Sequence, residues 1–472
     1  MFNLFYSDIR YGIMIMLFFV IALIFIILKS YNKRKELLLK LLIISPSLAF
    51  LQANLSKRIP QISIYYPGIH FYEPIMIIAF IFILFYKKIK FPKNTNKIFL
   101  IYFLFNVVSL FVSPKIEYGI YKLIIICEMY LGFLIMYNLM DSLNDIKIIF
   151  KSFSIICLIQ LLFITIQIFS VGYDPLKDFF VSSKLTSSPD LFGSRAIMGT
   201  FGSAANFAYF MALIASFLVI FTVSPSMSKK INKYIYFSAI ISIIVQIIAL
   251  GRVTTVILIM FYMIIIIFKK KLKLIILKQQ RNLLYLLIII ILASVIIPTI
   301  FSSSDIVSRR FSKDDLTYSA TFRIFPFTIA KRSIVSNPFI GRGLGYANNH
   351  TTTSRDNSSK FNEFILSADD SYFFAFGVHS GNASRIIETG IIGFLIYILW
   401  LLAFIKQGIK LYKKSNNNVV KNIGIGSIFV IVYFFLMEFD GVGMTYPYLM
   451  FFFSLILGLI SAVYDGIMPN QN

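Results

Sequence analysis

The chain has 472 residues, 58% of them hydrophobic and 14% charged, and a formal net charge of +24. Soluble domains are roughly half apolar and a quarter charged. With a mean hydropathy of +0.81, a soluble enzyme with a membrane tail is excluded, and lipid is the solvent for most of the chain. The positive charge would suggest nucleic acid in a soluble protein. In a membrane protein it points to basic cytoplasmic loops, and no nucleic-acid partner is expected.

Apolar runs predict spanning helices near 12–28, 37–52, 75–86, 98–113, 117–140, 147–170, 204–223, 234–250, 254–268, 284–300, 386–405, 423–439 and 446–463. The second and third are short enough to be re-entrant or half-buried. The expectation is an all-α polytopic membrane protein with about 12–13 transmembrane helices and one large extracytoplasmic loop containing short helices. The first apolar run is long and is followed by Lys29, Lys33, Arg34 and Lys35, with no small-residue cleavage pattern, so no cleavable signal peptide is expected. Cys127 and Cys157 lie inside apolar runs and form neither a disulfide framework nor a zinc spacing.

Charge phase sets the expected orientation. Lys87, Lys88, Lys90, Lys93 and Lys97 fall in one inter-span phase, as do Lys229, Lys230 and Lys233. The same phase holds Lys269 through Arg281 and, later, Lys406, Lys410, Lys413, Lys414 and Lys421. The positive-inside rule places that phase in the cytoplasm, with the N-terminus outside and the C-terminus inside.

Residues 1–170 then read as an N-terminal transmembrane bundle, and 171–300 as central helices with a Gly- and Arg-rich outer approach. Residues 301–385 form a large periplasmic loop and 386–472 the C-terminal helices. The long loop favours Arg where the cytoplasmic phase favours Lys. A guanidinium suits bidentate phosphate recognition, whereas an ammonium acts as a point charge toward a lipid surface.

Within that loop, Thr321 to Ser336 reads as an irregularly amphipathic helix carrying Arg323, Lys331 and Arg332. Asn337-Pro338-Phe339-Ile340-Gly341-Arg342-Gly343-Leu344-Gly345 ends it. Glycine at alternate positions reads either as a phosphate cradle or as a tight turn needing positive φ. Asp314-Asp315 and Asp369-Asp370 either solvate the loop or hold a divalent cation. His379 precedes Ser380 and Asn382, both candidate helix caps. A helix N-terminus disfavours imidazolium, so His379 reads either as a local hydrogen-bonding residue or as a neutral base. Arg252, in a very short outer turn, and Arg195, in a Gly-rich stretch opening a span, read as interfacial anchors or as functional cations. Glu128 and Glu438 are ionisable groups at membrane depth, functional or paired with a buried base such as Lys122.

These residues resemble the O-antigen ligase and O-antigen polymerase (Wzy/WaaL-like) superfamily. The resemblance covers about 190–405. It rests on about a dozen spans with one large late outer loop, the stretch Arg195 through Asn206, and Arg252 in its turn. His379-Ser380, then nine residues, then Gly390-Ile391-Ile392-Gly393 carries the most specific match, supported by Glu388 and Asn337-Pro338. Family members often carry Ser or Thr before the turn arginine, where this chain has Gly251.

The resemblance implies a glycosyltransferase of the bacterial inner membrane that polymerises undecaprenyl-diphosphate-linked repeat units on the outer face, as an O-antigen or capsule polymerase. The alternative is the ligase that moves the glycan to lipid A-core. It implies His379, Arg252 and Arg323 as catalytic residues: a base for the acceptor hydroxyl and a clamp on the diphosphate. Arg195, Arg342, Arg385 and Glu388 are implied in substrate binding. Diphosphate is already a good leaving group, so no metal or other cofactor is expected. A chain-length regulator and a flippase are implied as partners beside the bilayer. A lipid-linked oligosaccharide flippase or transporter is the rival from another class. It would show repeat symmetry and short loops, and the sequence shows neither.

Overall fold

The computed structural model describes residues 2–28, 30–48, 52–54, 68–114, 116–169, 201, 204–248, 252–268, 326–327, 329–348, 380–440 and 446–467. The predicted span at 284–300 and most of the large loop lie outside them.

The N-terminal helices are α1 (Phe2–Ile27), α2 (Tyr31–Ile44), α3 (Tyr72–Tyr86), α4 (Lys93–Phe111), α5 (Ile116–Leu139) and α6 (Leu143–Phe169). Next come α7 (Ala204–Val223), α8 (Lys229–Ile248) and α9 (Arg252–Phe268). The chain closes with α10 (Gly381–Lys414), α11 (Asn418–Asp440) and α12 (Pro447–Ile467). Among the described residues, six helices are long and apolar enough to cross a membrane, and four shorter apolar stretches accompany them. The protein is a polytopic, helical membrane protein.

Two local features depart from the sequence reading. The apolar run at 37–52 is not one helix. The helix α2 starts earlier, at Tyr31, and stops before a 3-10 turn at Ser45–Ser47, where Pro46 lacks the N–H that another helical turn needs. Gln52–Asn54 (β1) then pairs antiparallel with Gly68–His70 (β2), a small exception to an all-α chain. The other difference is α10, which begins at Gly381 rather than 386, so the expected boundary at 385/386 falls inside a helix. Ser380 caps it, its Oγ accepting from the Ala383 N–H at 3.3 Å.

Packing follows the apolar pattern. Every residue from 206 to 223 is buried, so α7 is enclosed by its neighbours, chiefly α8, α9 and α11. Elsewhere α5 packs on α12, and α10 on both α11 and α4. Helices in lipid gain little from apolar burial against one another, so close backbone approach carries weight. At the α10–α11 crossing, a Cβ on Gly408 would sit 2.7 Å from the Gly424 carbonyl oxygen, and one on Gly424 2.5 Å from that of Gly408. A small polar seam joins α6 to α8, with Ser154 Oγ 2.9 Å from Ser238 Oγ.

Side-chain bonds define one end of the bundle. Lys35 Nζ lies 2.8 Å from both Asp141 and Asp145, and Lys87 Nζ 2.5 Å from Asp141. Burial works to raise the Asp141 carboxyl, but hydrogen bonds and charge from Lys35 and Lys87 outweigh it and hold the pKa below its usual value. Asn422 donates to the Ser224 carbonyl at 2.5 Å, and Lys410 to the Tyr464 hydroxyl at 3.1 Å. Among the described residues, the lysine-rich inter-helix turns therefore share a face. The other ends of α4, α5, α10 and α11 meet at the opposite end.

Candidate functional site at the arm of helix α10

The helix α10 has 34 residues and would run about 51 Å if straight, against a hydrocarbon core of roughly 30 Å. It is not straight. Gly390 has φ +66° and ψ −169°, which divides the helix into an arm, Gly381–Thr389, and a spanning shaft.

The arm is polar in every turn and yet almost wholly buried. Polar groups so placed need partners, and the sequence supplies them from three other helices. Arg385 forks onto Glu438 of α11, Nη1 to Oε2 at 2.6 Å and Nη2 to Oε1 at 2.5 Å. Its guanidinium lies 3.7 Å over the Tyr397 ring, and Tyr397 donates its hydroxyl to Glu438 Oε2 at 2.8 Å. Ser380 Oγ donates to the Glu438 carbonyl at 2.9 Å and Asn382 Nδ2 to that of Phe435 at 3.1 Å. On the α5 side, Lys122 Nζ meets Glu388 Oε1 at 2.5 Å and Ser384 Oγ at 3.1 Å. From α4, Ser109 Oγ donates to the Glu388 carbonyl at 2.6 Å.

The alternating glycines complete the frame. Gly341, Gly343 and Gly345 have φ of +75°, +101° and +85°. A break at Gly390 strips the Ile387 and Glu388 carbonyls of their usual partners, the amides four residues on. Belt amides replace them, Arg342 N donating to Ile387 O at 2.7 Å and Gly343 N to Glu388 O at 3.1 Å. Ile391 N turns instead to Pro338 O at 2.9 Å. Leu344 N donates to Ser109 O at 3.1 Å and Ala347 N to Glu388 Oε1 at 3.0 Å. A phosphate cradle needs amides that point at the ligand. These amides are spent on α10 and α4, which decides for the tight-turn reading.

Of the seven residues singled out from the sequence, the structure brings Arg342, Arg385 and Glu388 together here. Arg342 is half-buried, and its Nη1 donates to the Tyr346 hydroxyl at 2.8 Å. Arg385 and Glu388 have their charges engaged by Glu438 and Lys122. His379, Arg323 and Arg195 lie outside the described residues, as do Asp314-Asp315 and Asp369-Asp370. Arg252 is the first residue of α9, already helical rather than in a turn.

The sequence marked Lys122, Glu128 and Glu438 as costly at their depth, but their pairing differs from a Glu128–Lys122 or Glu438–Lys122 bridge. Lys122 takes Glu388, Glu438 takes Arg385, and Glu128 accepts from the Tyr72 hydroxyl at 2.7 Å. Sequence reasoning also passed over His70 in β2. Its ring stacks on Tyr72 at 5.5 Å, Nδ1 is buried without a partner, and burial pushes its pKa down to about 4.

Residues 237–398 match the family model for O-Antigen ligase. That segment is similar to the O-antigen ligase domain family. Polymerases and ligases share this family, whose enzymes transfer lipid-linked glycans. A comparison with curated proteins gave no match. The matched segment covers about a third of the chain, from within α8 to the shaft of α10, and so contains the glycine belt and the whole arm.

Proposed function

We propose that this chain is a metal-independent glycosyltransferase of the bacterial plasma membrane. It polymerises oligosaccharide repeat units carried on undecaprenyl diphosphate, as an O-antigen or capsule polymerase working on the outer face. The observation that carries the reading is where the family match falls. It covers the arm of α10, which two buried ion pairs and a glycine belt fix at the end of the bundle remote from the lysine-rich turns.

In this reading the acceptor hydroxyl oxygen attacks the anomeric carbon of the donor sugar, and its proton passes to His379. The bond from that carbon to the diphosphate oxygen breaks, and the electron pair leaves with the diphosphate. Arg252 and Arg323 meet the developing charge, with Arg195 a weaker third cation and Arg342 a further substrate contact. Arg385 and Glu388 serve by holding the arm, which begins two residues after His379. The acceptor and donor are both lipid-carried, which fits a site at the membrane boundary.

A second reading is favoured by one observation, the family model's own description as an O-antigen ligase. Deleting the gene and resolving the surface glycan by gel separates the two. A single repeat unit per lipid A-core is the polymerase result. Bare core with polymer stranded on carrier lipid is the ligase result and overturns the polymerase assignment. In the complemented strain, His379→Ala is expected to abolish transfer while the protein stays inserted. Arg252→Lys is expected to be nearly as damaging as Arg252→Ala, because an ammonium cannot fork onto a diphosphate. Normal glycan from the His379→Ala strain would remove the base from this scheme.

A further inference from the structure

At the lysine-rich end, far from the arm of α10, a recess of about 480 Å³ opens between α1, α2 and α3. Its walls are Phe25 of α1 and Ile78, Ile81 and Phe85 of α3, while Arg34 of α2 and Tyr86 form its polar end. The surrounding surface is apolar and bare: Phe85 is 82% exposed, and Leu23, Ile27, Ile77 and Leu84 are also exposed. On a polytopic membrane protein such a wall faces acyl chains. From Tyr86 to Ile78 the recess follows α3 for about 12 Å, at 1.5 Å per residue.

Arg34 is held in place. Its Nη1 donates to the Tyr86 hydroxyl at 2.7 Å, its Nε to the Leu28 carbonyl, and its guanidinium lies 5.3 Å over the Phe25 ring. A guanidinium has five N–H donors and forks onto phosphate oxygens. Lys33, the residue before it, and Lys88, two residues beyond Tyr86, are both exposed. The neighbouring acids are committed elsewhere: Glu36 bridges Lys40 at 2.7 Å, and Asp141 is taken by Lys35 and Lys87. Among the described residues that line it, the recess therefore joins an apolar slot to a cationic mouth with no carboxylate.

We propose that this recess binds an anionic glycerophospholipid of the leaflet at the lysine-rich end. Its phosphate sits on Arg34 between Lys33 and Lys88, and one acyl chain lies in the slot between α1 and α3. A zwitterionic headgroup would bring an ammonium among these cations, so the site selects net negative lipid. The inference is independent of the glycan chemistry.

The full chain in detergent tests it. Phosphatidylglycerol is expected to raise the melting temperature by several degrees more than phosphatidylcholine of the same acyl composition. Arg34→Gln should weaken phosphatidylglycerol retention in native mass spectrometry by about tenfold, the scale of one charge-assisted hydrogen bond. That variant also loses bonds to Leu28 and Tyr86, so Ile81→Trp, which fills the slot and leaves the cation, supplies a second arm with the same expected loss. Equal stabilisation by the two lipids would overturn the proposal, as would phosphatidylglycerol selectivity that survives in both variants. An equal effect from inorganic phosphate alone, or displacement by an equimolar polyprenyl phosphate, would also overturn it.

Discussion

Arg385 and Glu438 are each almost fully buried, and neither charge has water to fall back on. Taking out one partner of such a pair strands the other and costs about 3–5 kcal/mol, whereas replacing both with apolar side chains is often nearly neutral. Glu438→Gln is therefore expected to lower the melting temperature in detergent more than the double variant Arg385→Met/Glu438→Leu. A double-mutant cycle that came out additive would sink the coupling. The Lys122–Glu388 bridge follows the same rule with one addition, since Glu388 also accepts from the Ala347 amide and so ties a belt residue to the arm. At this scale the sequence was half legible. An ionisable residue inside an apolar run announces that it needs a partner, as Lys122, Glu128 and Glu438 did. Which partner it finds depends on helix rotation and depth, which no single stretch of sequence encodes.

The helices themselves were legible because lipid demands long apolar runs, and the cap at Ser380 because a hydroxyl before a helix has a definite use. The break at Gly390 was not, since glycine inside an apolar helical pattern is usually tolerated without a bend. Its backbone lies in a region that side chains scarcely enter, costing roughly 1–3 kcal/mol. An added Cβ would also sit 2.6 Å from the Phe339 carbonyl. Gly390→Ala is thus expected to destabilise the protein by about 2 kcal/mol or more and to detach the belt. Hydrogen exchange at the Arg342 and Gly343 amides should quicken with it, because their acceptors are the Ile387 and Glu388 carbonyls. Gly12→Ala is the matched control, with nothing within 4 Å of the new methyl. Unchanged exchange at the belt in Gly390→Ala would refute the belt's dependence on the break. The start of α2 was missed for a related reason. The apolar run at 37–52 leaves out Lys33, Arg34 and Lys35, and the Asp141 and Asp145 acceptors explain how Lys35 can be buried in a helix.

For the whole molecule, side-chain bonds and helix connectivity agree on two distinct ends. Lysines gather where α3 and α5 finish and where α8 and α11 begin, and the arm of α10 lies at the far end beside the start of α5 and the end of α11. The positive-inside tendency then gives an orientation that can be measured directly. With Cys127 and Cys157 replaced by alanine, single cysteines report each face to a membrane-impermeant maleimide. Asn416→Cys and Ser228→Cys, in exposed positions at the lysine end, are expected to label only after spheroplasts are lysed. Glu117→Cys, in the first turn of α5 at the arm's end, is expected to label in intact spheroplasts. The reverse pattern would place the arm in the cytoplasm. A glycan already carried to the outer leaflet would then be out of its reach, so this labelling tests the orientation on which any outer-face transfer depends.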